Sequence, residues 1–367
     1  MKFSCYKKDL TDALHFAARA ANEKAYSPEL SGILFRAENH SLEIAANNLN
    51  IAIRANIPCH CEENGSAFVN GNRLVSFVRS MPDDTLTCSA DDKFLYLQSG
   101  GANVELLSMN PANFTEFQPL EQARTFQIKS VAFREAIQRT AFAAAKQTDR
   151  PIFTGVLFEI KNNRLSLVAT NTYRLALTGI VLDNPCDEAA FVLPADTLTA
   201  LLAKLDAKDT DKVVTVNFAE RGVTFAFDNF FVQSRRVEGI FPPYQKIIPA
   251  DFSTRVSVDT AELKRAVNFI SLMCNQTVFN TVTLNINDNG IELSANSEQI
   301  GGAFQPVEAN FDGDELTILF NVNYLADALK VIDSPQVKLA FNDKYSPAVM
   351  TEPDNDNWLY VITPCKE

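Results

Sequence analysis

Arg150-Pro-Ile-Phe-Thr-Gly-Val-Leu-Phe-Glu-Ile-Lys-Asn-Asn-Arg-Leu-Ser-Leu-Val-Ala-Thr-Asn171 decides the fold, because the chain carries this phrase three times. Its counterparts are Pro28-Glu-Leu-Ser-Gly-Ile-Leu-Phe-Arg-Ala-Glu-Asn-His-Ser-Leu-Glu-Ile-Ala-Ala-Asn47 and Val278-Phe-Asn-Thr-Val-Thr-Leu-Asn-Ile-Asn-Asp-Asn-Gly-Ile-Glu-Leu-Ser-Ala-Asn296. Gly32, Gly155 and Thr281 hold the same place in each, so Gly155 follows Gly32 by 123 residues and Thr281 follows Gly155 by 126. Solenoid repeats run to about 20–50 residues, whereas a period above about 100 is the size of a domain with its own core. Three similar globules in a row are expected. Within the phrase, apolar residues alternate on either side of Glu38-Asn39-His40, Lys161-Asn162-Asn163 and Asp288-Asn289-Gly290. That pattern is a β-hairpin.

Each third reads as two β-α-β-β-β halves. Helix windows fall at 7–24, 70–80, 130–146, 196–205, 260–273 and 323–332, where spacings such as Leu10, Leu14, Ala17, Ala18 and Phe133, Ile137, Ala141 make one apolar stripe. Strands such as Val213-Val-Thr-Val-Asn-Phe218, Gly222-Val-Thr-Phe-Ala-Phe227 and Thr317-Ile-Leu-Phe320 are rich in β-branched and aromatic residues. Pro and charged residues interrupt the pattern near Pro119–Arg124 and Pro249–Ser253. The expected domains are therefore 1–122, 123–250 and 251–367, packed without flexible linkers.

Composition narrows the function. The 367 residues are 46% hydrophobic and 10% aromatic, enough to fill three cores. No apolar run approaches the ~18 residues of a membrane span, and Met1-Lys-Phe-Ser-Cys-Tyr-Lys-Lys-Asp9 lacks the apolar centre of a signal peptide. A cytoplasmic location is expected. The seven cysteines are scattered, and Cys59-His60-Cys61 has no second Cys/His pair to complete a metal site, so free thiols and no metal are expected.

The net charge of −12 argues against a polyanionic partner until its distribution is considered. The six helix windows hold 13 Lys/Arg against seven acids, while the remainder holds 20 bases against 38 acids. Basic helices on an acidic protein can face a polyanion while the rest of the surface repels it. Catalytic constellations are missing: there is no phosphate loop, no Gly-x-Ser-x-Gly elbow and no His-Glu-x-x-His. None of His15, His40 and His60 adjoins a plausible nucleophile in sequence, and Asp83-Asp84, Asp91-Asp92 and Asp312/Asp314 sit in turn-like contexts. A non-catalytic protein without a cofactor is expected.

Arg235-Arg-Val-Glu-Gly-Ile-Phe-Pro-Pro-Tyr-Gln-Lys-Ile-Ile-Pro249, Ala169-Thr-Asn-Thr-Tyr-Arg-Leu-Ala176, Phe320-Asn-Val-Asn-Tyr-Leu325 and Val361-Ile-Thr-Pro-Cys365 together carry a resemblance. Over its whole length the chain resembles the bacterial sliding clamps, the beta subunits of replicative DNA polymerase III. The resemblance implies an α+β fold of three repeated DNA-clamp domains, closed as a homodimer into a ring with helices lining the hole and sheets outside. It implies a replication processivity factor that encircles double-stranded DNA without reading sequence. Its partners would be the replicative polymerase catalytic subunit, the clamp loader, and repair and other clamp-motif proteins.

By position, the resemblance places Lys24, Gln147 and Arg150 at DNA, and helix charge adds Arg73, Arg79, Arg134, Arg139, Lys146, Lys264 and Arg265. Pro151-Ile152 stands where some relatives carry two tyrosines, so no aromatic contact carries over there. The resemblance also implies a peptide-binding groove built from Thr170, Thr172, Tyr173, Arg174, Leu175, Pro242, Ile247, Asn321, Tyr324, Ser346, Val361, Ile362, Thr363, Pro364 and Cys365. Thr363 and Cys365 replace methionines common in relatives. A dimer seam would use Arg73, Leu74 and Phe77 against Leu272 and Met273, with edge strands near Asn103–Met109 and Glu298–Phe304. Two other classes stay open: a monomeric peptide-binding adaptor, and a metal-dependent nuclease.

Overall fold

The computed structural model describes residues 1–21, 27–71, 73–274, 280–297 and 301–365. Every third contains the expected pair of β-α-β-β-β halves. In the first, strand Lys2–Tyr6, helix α1 (Lys7–Ala17) and strands Gly32–Glu38, Ser41–Asn47 and Ile51–Pro58 form one half. The other half is strand Gly65–Asn70, helix α2 (Leu74–Ser80) and strands Thr85–Ala90, Phe94–Ser99 and Ala102–Met109. The same order recurs around α3 (Ser130–Thr140), α4 (Ala195–Leu201), α5 (Thr260–Cys274) and α6 (Val322–Lys330).

Two short strands were not anticipated. His60–Glu63 and Ala309–Gly313 lie between the halves of the first and last thirds and pair with Lys2–Tyr6 and Thr254–Asp259. Their polar, exposed pattern hides them from any reading of hydrophobic alternation.

Most helices end sooner than the windows allow. In α1, Leu10, Ala13, Leu14 and Ala17 form the buried stripe, and the chain then tightens into a 3-10 turn at Ala18–Ala20. Helix α3 stops at Thr140, whose Oγ1 donates back to the Ala136 carbonyl at 2.7 Å, and α2 begins only at Leu74 because 65–70 is strand. The hairpin turns do hold: Asn39 and His40 (φ 48° and 66°) and Asn162 and Asn163 (50° and 59°) supply the left-handed conformations that a two-residue turn requires.

The chain divides into two compact units, one of Met1–Phe133, Asp183–Cys186 and Asp196–Arg236, the other of Arg134–Leu182, Asp187–Ala195 and Val237–Glu367. In the first, the described strands form a thirteen-stranded sheet; in the second, a nine-stranded and a four-stranded sheet. The thirds are thus joined by main chain. Phe230–Arg235 of the middle third pairs antiparallel with Ile51–Pro58 of the first, and Arg174–Val181 with Asn355–Ile362 of the last.

Packed phenylalanines fill the cores, with Phe3, Phe16, Phe35 and Phe68 in the first third and Phe133, Phe158, Phe218 and Phe225 in the middle one. Each such ring contributes roughly 1.5–3 kcal/mol of hydrophobic stabilisation. The cysteines among the described residues are all free thiols. Burial pushes Cys5 up to about 12 and Cys274 up to about 11, which keeps both unreactive. Among the described residues no helix is long and apolar enough to cross a membrane, and no group of three or more His, Cys, Asp or Glu is placed to hold a metal.

Candidate functional site

The groove expected in the second unit centres on one turn. Strands Arg164–Thr170 and Arg174–Val181 are connected through Asn171, Thr172 and Tyr173. Asn171 Oδ1 accepts from the Tyr173 and Arg174 amides, both at 3.0 Å, while Thr170 Oγ1 donates to the Arg174 carbonyl at 2.7 Å. These bonds hold Thr172 at φ 78°, a conformation that a β-branched residue rarely adopts. Asn171 Nδ2 then donates to the Tyr324 hydroxyl at 3.2 Å, tying the turn to α6. Asn171 was missed as a site residue; its signal was the Thr-Asn-x-x-Arg spacing, which makes an Asx turn.

Arg174 lies beneath the turn, 7% exposed. It pairs with Asp327 at 2.9 Å, donates to the Phe142 carbonyl and stacks over the Tyr324 ring at 4.5 Å. Burial works against the Asp327 charge, but hydrogen bonds from Arg174 and Lys330 outweigh it and hold that carboxyl below its usual range.

The C-terminal strand completes the wall. Leu175 pairs with Val361, the Thr363 amide donates to the Tyr173 carbonyl at 2.9 Å, and the Cys365 amide donates to Leu319 O at 2.8 Å. Tyr244, set in the same apolar cluster as Leu175 and Val361, donates its hydroxyl to Glu159 at 2.8 Å. It thereby fixes the segment bearing Pro242 and Ile247. Asn321 caps α6 by accepting from the Asn323 amide at 3.0 Å, and Ser346 closes an Asx turn on Asp343.

Exposure sorts the groove residues into floor and rim. Leu175, Val361, Ile362, Thr170 and Arg174 are buried, so within the expected groove their side chains belong to the floor and its support. Tyr173 (61% exposed) and Ile247 (43%) stand at the rim, with Pro242, Thr363, Pro364 and Cys365 half-buried. Such a mix of apolar surface and a few oriented polar groups suits a linear peptide.

The basic residues divide as well. Arg73, Arg79, Lys146, Gln147, Arg150 and Arg265 are exposed, and Arg134 and Lys264 are half-buried. Arg139 is a correction: it is 6% exposed and bonded to Glu352 at 2.6 Å, so it offers nothing to a phosphate. Lys204, counted in the helix charge, is likewise paired with Asp12 and lies over the Phe230 ring. At Pro151-Ile152, Pro151 is exposed and Ile152 belongs to the core. Lys24 lies outside the described residues.

Leu74 also needs correction, being fully buried and unable to join a seam. Phe77 (37%) and Leu272 (72%) are exposed, Met273 is half-buried, and Leu107 (75%) and Phe304 (56%) are exposed on the expected edge segments, joined by Phe269 (50%), which the sequence reading did not single out. Among the described residues, strand Ala102–Met109 has a partner on one side only over Ala102–Leu107, and Gly301–Val307 pairs on one side alone. Glu298, the expected start of the second edge, lies outside the described residues.

Three successive stretches match the domains of one family: residues 1–118 the N-terminal domain of the DNA polymerase III beta subunit, 127–243 its central domain and 245–366 its C-terminal domain. The chain belongs to the DNA polymerase III beta subunit family. Among relatives, the beta sliding clamp of Bacillus subtilis (strain 168) is 28% identical across the full length of both chains. The solved DNA polymerase III beta subunit of Thermotoga maritima superposes with a TM-score of 0.92 at 27% identity, covering 100% of this chain and 99% of that one. A sliding clamp of Pseudomonas aeruginosa, solved bound to griselimycin, gives 0.92 at 25% identity with both chains fully covered. Within the beta-subunit frame, the turn at Asn171 lies in the central domain while Tyr324 and Asp327 lie in the C-terminal one, so the candidate groove joins two family domains.

Proposed function

We propose that two copies of this chain close a ring around duplex DNA and act as a replication processivity factor, each copy built of clamp domains 1–122, 123–250 and 251–367. The observation that carries this reading is the pair of open strand edges in a chain of this family. Among the described residues, Ala102–Leu107 in the first domain and Gly301–Val307 in the third each lack a partner on one side, and each bears an exposed apolar residue, Leu107 or Phe304. Open edges with apolar side chains invite pairing, and joining the first edge of one copy to the second edge of another, twice, closes a ring.

The exposed cations Arg73, Arg79, Lys146, Arg150 and Arg265, with Lys24, supply phosphate contacts that carry no sequence information, so the ring slides. The rim at Tyr173, Ile247 and Pro364 receives linear segments of the polymerase catalytic subunit, the clamp loader and repair proteins. The chain itself serves as a non-catalytic accessory subunit in the cytoplasm. Light scattering from nanomolar to micromolar concentration tests closure: twice the mass of one chain supports the ring, and a persistent monomer favours a peptide-binding adaptor.

A further inference from the structure

The turn that shapes the groove has a twin. At Asn48–Ile51, 123 residues before Asn171–Arg174, Asn48 Oδ1 accepts from the Asn50 and Ile51 amides at 3.1 and 3.0 Å, and Leu49 takes φ 72° where Thr172 takes 78°. The Arg235 amide donates to Asn50 O at 3.0 Å, as the Thr363 amide does to Tyr173 O at 2.9 Å. Beneath the two turns, Leu34, Ala45 and Phe114 share a cluster just as Leu157, Val168 and Tyr244 do. The seam between the first and middle thirds is therefore built on the plan of the groove.

What differs is the segment after the anchoring aromatic. Three residues past Tyr244, Ile247 is exposed; three residues past Phe114, Phe117 folds down onto the seam. Its ring lies 5.7 Å from Phe231 and under the Arg54 guanidinium at 5.2 Å. Around it, Asn47 Nδ2 donates to Thr115 O at 2.9 Å, Arg36 pairs with Glu116 at 2.8 Å and Gln233 Nε2 donates to Gln118 O at 2.6 Å. Where the groove has Leu177 and Glu159, the twin has Arg54 and Arg36, two cations suited to an aromatic ring and a carboxylate.

We propose that this first seam is a second, latent peptide site, occupied in the free chain by its own strap Thr115–Gln118, and that its ligand class is an extended peptide presenting an acidic residue followed by an aromatic one. The strap displays that chemistry. An acidic-aromatic peptide meets the same Arg36, Arg54 and Phe231 and competes with the strap for them. Thr115, Glu116 and Gln118 are exposed and Phe117 is half-buried, so with Phe114 left anchored in its cluster, displacement uncovers little beyond the Phe117 ring. The parallel rests on reading the second seam as a peptide groove, but the latent site stands on its own contacts.

The test uses the full chain and a fluorescent synthetic peptide copying residues 113–119. A variant with Glu116→Ala and Phe117→Ala should bind it about tenfold tighter than the native chain, the loss expected when a half-buried aromatic anchor is removed from its place. Adding Arg54→Ala should remove that gain. Equal binding by the native and emptied chains, with hydrogen exchange in Ile51–Pro58 unchanged, overturns the proposal. Should the double variant not fold, Glu116→Gln alone removes the strap's claim on Arg36, which keeps its pair with Glu43 at 2.8 Å, and should give a smaller gain in the same direction; no gain there also overturns it. A peptide from the polymerase catalytic subunit, read against Ile247→Ala, reports on the groove separately.

Discussion

Arg139 and Glu352 stand 213 positions apart in sequence, yet Arg139 Nη1 donates to Glu352 Oε2 at 2.6 Å with both side chains almost wholly buried. Asn355 supports the carboxylate at 2.7 Å, and Trp358 Nε1 donates to the Arg139 carbonyl at 3.1 Å. The pair locks the central family domain to the C-terminal one. Removing Glu352 leaves the buried guanidinium only its pair with Glu135 at 2.8 Å, so Glu352→Ala should cost about 3 kcal/mol, the low end for a broken buried pair, in urea unfolding followed at the second unit. Replacing both residues with methionine should cost far less.

The same pair sets a pH response. Burial raises the Glu352 carboxyl, but hydrogen bonds from Arg139 and Asn355 outweigh it and leave the group below its ordinary 4.5. A lowered folded value gives stability that is complete above the ordinary range and lost as pH falls through the folded value. Urea midpoints should therefore drop below pH about 4.5, and the drop should be shallower in Glu352→Gln.

On DNA, Arg150→Ala and Arg265→Ala should each reduce the slope of log affinity against log salt by about 0.9, the share of one phosphate contact. Peptide binding should stay unchanged. A slope equal to that of the native chain would remove the residue from the DNA surface.

Ile247→Ala should weaken a polymerase-derived peptide by roughly 1–2 kcal/mol, as expected for one well-placed apolar contact, without altering the melting temperature. Leu175→Ala should behave in the opposite manner, costing about 2–5 kcal/mol of stability because its side chain is core. Calorimetry and thermal unfolding on both variants separate rim from floor.

At the seam, Leu272→Asp or Phe304→Asp should shift light scattering from dimer to monomer with the fold intact. Leu74→Ala should instead destabilise the first unit by about 2–5 kcal/mol. A dimer that survives both aspartates would place the interface elsewhere.

The three-fold phrase made much of this architecture legible, because Asn39, Asn162 and Gly290 mark turns whose chemistry is local. What escaped depends on neighbours distant in sequence. Arg139 sits among helix residues like any surface cation, and nothing nearby foretells Glu352. Leu74 and Phe77 share one helix and differ only in the face they present. His60–Glu63 was invisible as a strand because its backbone ladder with Lys2–Ser4 holds it, while its side chains are polar and exposed and show no apolar face. At the candidate groove, the motif segments could be read from the sequence, while the residues that prop them, Asn171, Glu159 and Asp327, could not.

The backbone pairing of Phe230–Arg235 with Ile51–Pro58 also bears on dissection of the chain. A fragment ending near residue 122 keeps Ile51–Pro58 but loses its neighbour, and it uncovers Arg54, whose guanidinium rests on Phe231 at 4.8 Å. A long apolar edge of that kind seeks another strand and finds it in a second fragment. The thirds are copies in sequence, but they are not spare parts: cut at its borders, this protein should yield pieces that aggregate, because a cut near residue 122 opens the Ile51–Pro58 edge and one near residue 250 parts Arg174–Val181 from Asn355–Ile362.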